Sequence, residues 1–99
     1  MRLETENGGT IHDPSGGEII AALNQLDGFA ILSHDELTYL QAAGTSQDNF
    51  VLEYQEGDTD EHFVCPDRLS LNQITTAFMA YAQGNPSWRY AFRWEKLAL

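Results

Sequence analysis

Between Phe50 and Glu56 the chain alternates without interruption, with Phe50, Leu52 and Tyr54 on one side and Val51, Glu53 and Gln55 on the other. A period of two predicts a strand with one face on a core and the other in water. Phe29–Ser33 and Leu37–Ala43 read as two further strands flanking a polar corner at His34-Asp35-Glu36, and Gly44–Asn49 reads as a loop. Gly57-Asp58-Thr59-Asp60 turns the chain into a fourth strand, Glu61–Cys65, which Pro66 closes. Strands this close in sequence, joined by turns, predict an antiparallel meander.

The pattern changes on either side of the meander. Near the N-terminus Asn7-Gly8 separates two short strand-like stretches, Arg2–Glu6 and Thr10–His12, and predicts a hairpin on a type I′ turn. Asp13 as N-cap and Pro14 at the first helical position predict a helix whose apolar face is Ile19, Ile20, Leu23 and Leu26, stopped by Gly28. Ser70-Leu71-Asn72-Gln73 has the form of a capping box and opens a second helix with the stripe Leu71, Ile74, Phe78, Tyr81 and Ala82, ended by Gly84. After a turn at Asn85-Pro86-Ser87, the stretch Tyr90–Leu97 reads as a last strand with Trp88, Tyr90, Phe92 and Trp94 inward and Arg89 and Arg93 outward, against the acidic strands. The order ββ-α-ββββ-α-β predicts one α+β domain over residues 1–99: an antiparallel sheet with two helices packed on one face.

Charge then alters the picture. From Leu3 to Asp67 there are fourteen carboxylates and no lysine or arginine, and the net charge is −10 on 99 residues. Acidity of this kind favours solubility. Concentrated over two thirds of a small molecule, it also destabilises the fold by self-repulsion while speeding encounter with a basic partner. Direct binding of nucleic acid or of an anionic membrane is disfavoured, since both need positive surface. The single cysteine, Cys65, leaves no intramolecular disulfide, and with no apolar run of spanning length or secretory pattern the expected location is the cytoplasm.

Candidate chemistry is thin. His62 and Cys65 lie an odd number of residues apart on one strand and face opposite sides, so they do not share a metal. The histidines read as turn and edge residues. Glu56, Asp58, Asp60 and Asp67 fit ligand positions of a calcium loop, but Glu61 stands where such a loop needs glycine, and a solvated hairpin tip fits better. Ser33-His34-Asp35 supplies triad residue types as sequence neighbours, which cannot face one another as a triad does. Cys65 lies among acids that would raise its pKa. No catalytic residue, metal or cofactor is expected.

Several segments are similar to a known family. The opening helix, the strand Asn49–Gln55, the helix from Leu69, and above all Asn85-Pro86-Ser87-Trp88 and Phe92-Arg93-Trp94-Glu95 resemble the Imm1-type immunity proteins of bacterial polymorphic toxin systems, over Glu18 to Leu97. The resemblance implies a small cytoplasmic protein, without catalysis, that blocks a cognate toxin by direct binding. The toxins of such systems are frequently nucleases or nucleic-acid deaminases.

Charge and resemblance point the same way. A toxin that acts on nucleic acid presents a basic cleft, which carboxylates can occupy in place of phosphates. The expected partner is therefore a basic toxin domain, and the expected contacts are Asp35, Glu36, Glu53, Glu56, Asp58, Asp60 and Glu61, with Tyr39 or Tyr54 as an aromatic anchor. A small acidic adaptor or scaffold domain binding another basic protein is the alternative.

Overall fold

Alternation along the middle of the chain becomes a meander of β3 (Gly28–Asp35), β4 (Thr38–Gly44), β5 (Val51–Glu56) and β6 (His62–Val64) in the computed structural model, which describes residues 1–45 and 49–97. Ser46, Gln47 and Asp48, within the loop expected at Gly44–Asn49, lie outside the described residues. The hairpin β1 (Arg2–Thr5) and β2 (Gly9–His12) extends the sheet beyond β3, and the short β7 (Glu95–Lys96) extends it beyond β6. The result is a seven-stranded sheet in the order β2-β1-β3-β4-β5-β6-β7, with every neighbouring pair antiparallel. Helices α1 (Gly16–Asn24) and α2 (Leu71–Ala82) cover one face, so the fold is α+β.

Register places side chains in rows across the strands. Leu3, Leu32, Leu40, Tyr54 and Phe63 form one row beneath the helices. There they meet Ile19 and Leu23 of α1 and Ile74, Ala77 and Phe78 of α2, which together bury the core. On the open face the register lines up Arg2, Ser33, Tyr39, Gln55 and His62. A neighbouring row carries Glu4, Ile31, Gln41, Glu53, Val64 and Glu95. Phe29, Ala43 and Val51 form a third, apolar row.

The second helix starts and stops as its sequence predicts. Ser70 Oγ accepts from Gln73 N at 3.1 Å while Gln73 Oε1 accepts from Ser70 N at 2.8 Å. At the other end Gly84, with φ +72°, lets Asn85 N reach Ala80 O and Gly84 N reach Tyr81 O, a Schellman arrangement.

Four local expectations are corrected. The N-cap of α1 is Ser15, which forms a reciprocal capping box with Glu18; Asp13 instead adopts φ +49° and its carboxylate meets the Met1 amine at 3.1 Å. The α1 helix ends at Asn24 rather than at Gly28, whose φ of +110° belongs to the first position of β3, and Ile20 points outward at 39% exposure. The β1–β2 turn is not type I′: positive φ falls on Gly9 alone, so three residues, Glu6-Asn7-Gly8, connect the strands.

The largest difference is the tail. Ser87–Tyr90 is a short helix, α3, and only Glu95–Lys96 extends the sheet. Asn85 Oδ1 accepts from Ser87 N at 3.0 Å and starts the helical turn, so the aromatics no longer alternate across a strand. Trp88 is buried against Tyr54, Tyr81 and Trp94, whereas Tyr90 is 80% exposed. Trp94 Nε1 donates to Arg89 O at 2.8 Å and fixes the run into β7.

Candidate protein-interaction site

Six of the seven acids expected to bind a partner sit on two hairpin tips. Asp35 and Glu36 form the β3–β4 tip, and Glu56, Asp58, Asp60 and Glu61 the β5–β6 tip. Because β4 and β5 pair with Thr38 opposite Glu56, the tips are neighbours at one end of the sheet. Leu37 O locks them together, accepting from Gly57 N at 2.9 Å and from Gln55 Nε2 at 3.1 Å. Each tip is also shaped by its own aspartate: Asp35 Oδ1 accepts from Leu37 N at 2.8 Å and Asp58 Oδ1 from Asp60 N at 2.9 Å. Leu37 stands between them at 45% exposure.

The tip carboxylates are not equivalent. Glu56 pairs with Arg89, and Glu61 Oε1 lies 3.5 Å from Lys96 Nζ. The arginine is held over the rings of Tyr54 and Trp88, 5.3 Å from each centroid. Farther along, Arg93 forks onto Asp67 at 2.7 and 3.3 Å, holding that carboxyl below its ordinary range. The basic tail thus folds back onto the acids beside it, Arg89 from the helical turn α3, Arg93 from the irregular stretch after it and Lys96 from β7. Among the described residues, Asp35, Glu36, Asp58 and Asp60 have no such ion pair, and all four are exposed.

Glu53, the seventh, lies apart on the open face, where its Oε2 is 2.8 Å from His62 Nε2. His62 Nδ1 is 3.1 Å from Gln55 Oε1 and 3.4 Å from the Tyr39 hydroxyl. The histidine is therefore neither a turn nor an edge residue: it is buried in a polar cluster with Gln55. Burial, followed by the Glu53 charge, pushes the Tyr39 phenol up. Sequence reading missed this cluster because Glu53 and His62 are nine positions apart and meet only once the hairpin register sets Gln55 opposite His62. Alternation could have indicated that these side chains share the wet face, though not that they touch.

Other candidates separate. Ser33 is buried on the open face, its hydroxyl donating to Arg2 O at 3.4 Å, while the His34 ring packs at a tilt with its centroid 5.2 Å from that of Tyr81 on the helical side. Tyr54 is a core residue stacked on Phe63, which removes it as an exposed anchor and leaves Tyr39. The Cys65 thiol is 1% exposed; burial is the main reason its pKa is raised, and the Asp67 charge adds less. Among the described residues no three histidine, cysteine or acidic side chains converge as a metal ion would need, and no helix is long and apolar enough to cross a membrane. No family model matches the chain, and comparison with curated proteins and with solved structures finds no match either.

Proposed function

We propose that this chain is a non-catalytic immunity protein that binds and neutralises a basic bacterial toxin acting on nucleic acid, a nuclease or a deaminase. The observation that carries the reading is the pair of locked tips. Four exposed carboxylates without an ion pair among the described residues, Asp35, Glu36, Asp58 and Asp60, surround the exposed Leu37 at one end of the sheet. The net charge of −10 steers a cationic surface toward that end. Once docked, carboxylates on short tips can stand where the phosphates of a nucleic acid would, and Leu37 adds an apolar contact that ions and solvent do not provide. The resemblance of Asn85–Trp88 and Phe92–Glu95 to the Imm1-type family supports the toxin as the partner.

The test begins with tagged protein used to retain partners from native lysate at low salt, followed by release at high salt. Released protein is then assayed for nuclease and deaminase activity with and without added chain. The reading expects a basic partner whose activity on nucleic acid disappears when the chain is restored. A partner whose activity is unaffected by the chain, or retention that salt does not weaken, contradicts it.

A further inference from the structure

Among the described residues no helix covers the other face of the sheet, and its three rows grade from polar beside the tips to apolar at the far end. We infer that this face is a docking surface for the same basic protein, with Glu53 as the acceptor for one of its cationic side chains and the Phe29–Ala43–Val51 row as the apolar seat beyond it. The inference rests on the reading that the partner is a basic protein, and extends the contact from the tips onto the face.

Glu53 is suited to the role because its position is fixed. Oε2 is held by His62 Nε2 at 2.8 Å, while Oε1 has no hydrogen-bond partner among the described residues. The glutamate side chain is 27% exposed, so it is sunk in the face yet reachable. A carboxylate immobilised before binding loses little freedom when a cation arrives, unlike one on a mobile stem. Gln55 Nε2 donates to Leu37 O, which turns Oε1 toward the histidine ring and joins the cluster to the tips.

Two proton arrangements are open to the cluster. An imidazolium donates to both Glu53 Oε2 and Gln55 Oε1; a neutral ring protonated on Nε2 donates to Glu53 and accepts from the Tyr39 hydroxyl at 3.4 Å, leaving Nδ1 and Gln55 Oε1, both acceptors, 3.1 Å apart. In the second arrangement Glu53 keeps its full charge for an incoming cation. The carboxylate, the phenol of Tyr39 on β4 and the amide of Gln55 on β5 are the polar side chains the ring touches.

A second copy of this chain is the wrong occupant. Glu53 and Glu95 lie in one row about 10 Å apart at ordinary strand spacing, while Glu4, farther along that row, pairs with Arg2 at 2.8 Å. Stacking two such faces would bring like charges together on molecules that each carry −10. A basic protein with apolar residues beside its cations fits both the sign and the gradient.

The probe is Nα-acetyl-arginine methylamide, titrated at low salt into labelled protein while backbone amide shifts are followed. Saturating shifts centred on Tyr39, Gln41, Glu53 and His62, on the order of millimolar, are expected. The uncharged citrulline analogue should shift them at least tenfold more weakly. Glu53→Gln should weaken the arginine compound similarly, and so should Gln41→Lys, which supplies a cation from the facing position on β4. Blocked lysine binding at the same residues supports the subsite as one that reads charge. Equal shifts with citrulline, shifts confined to the tips, or shifts that change on dilution without any cation (a self-associating face) overturn it. A failure here leaves the tip reading standing, since Asp58→Asn with Asp60→Asn should not alter this titration, whereas a failure of the lysate assay leaves the subsite measurable.

Discussion

At the scale of single residues the clearest anomaly is Tyr81. Its ring is packed between His34 and Trp88, and its hydroxyl is buried without a hydrogen-bond partner among the described residues. Burial, with the Asp35 charge adding to it, pushes the phenol up from 10.0 to about 12. The folded protein therefore keeps a proton that the unfolded chain has begun to lose, and stability falls as pH rises from 10.0 toward about 12. Tyr81→Phe keeps the ring and removes the group. It should be neutral or stabilising by about 1 kcal/mol at neutral pH, because an unpartnered buried hydroxyl costs roughly 1–3 kcal/mol. In alkaline urea titrations it should lose stability less steeply than the parent, with Tyr39 and Tyr54, both also raised, retaining part of the slope. An unchanged alkaline slope would remove Tyr81 from this account.

At the scale of elements, what the sequence discloses is what is local. The Ser70–Gln73 box and the Gly84 stop depend on residues within one turn, so α2 is readable from its own letters. Ser70→Ala should cost about 1 kcal/mol by denaturant unfolding. Phe78→Ala, at the centre of the buried stripe, should cost about 3–5 kcal/mol. If the two losses were equal, α2 would be held by its cap rather than by the core.

The meander was legible for a different reason: alternation survives along Phe50–Glu56 whatever the neighbours do. The tail was not. Trp88, Tyr90, Phe92 and Trp94 satisfy a period of two, but one buried tryptophan against Tyr54 and Tyr81 outweighs the pattern, and Tyr90 turns out to water. Asp13-Pro14 misled similarly, since the adjacent Ser15 and Glu18 offered a reciprocal box that Asp13 could not match. The acids of the site were readable by type, while their division was not. Which carboxylates the chain neutralises depends on where Arg89 and Lys96 land after the tail folds, a matter of tertiary placement.

For the whole molecule, charge is the organising quantity. Self-repulsion at −10 should make the fold more stable as salt rises from about 10 to about 150 mM, where the screening length drops to about 8 Å. A melting temperature that falls over that range would mean the tail's ion pairs outweigh the repulsion. The same excess is what the docking reading uses, and at the two tips Asp35, Glu36, Asp58 and Asp60 carry it without an ion pair among the described residues, while Arg89 and Lys96 answer Glu56 and Glu61. Asparagine and glutamine remove charge there while leaving an oxygen for the turn bonds that Asp35 and Asp58 make.

The most direct measurement is the association rate of the recovered basic partner with the parent protein and with the variant Asp35→Asn, Glu36→Gln, Asp58→Asn, Asp60→Asn, across a range of salt. If the tips steer docking, the variant should associate about tenfold more slowly at low salt, show a flatter salt dependence, and converge with the parent near 1 M, where screening leaves about 3 Å of reach. Equal association rates at every salt concentration would contradict the central claim and leave the tips as solvated turns.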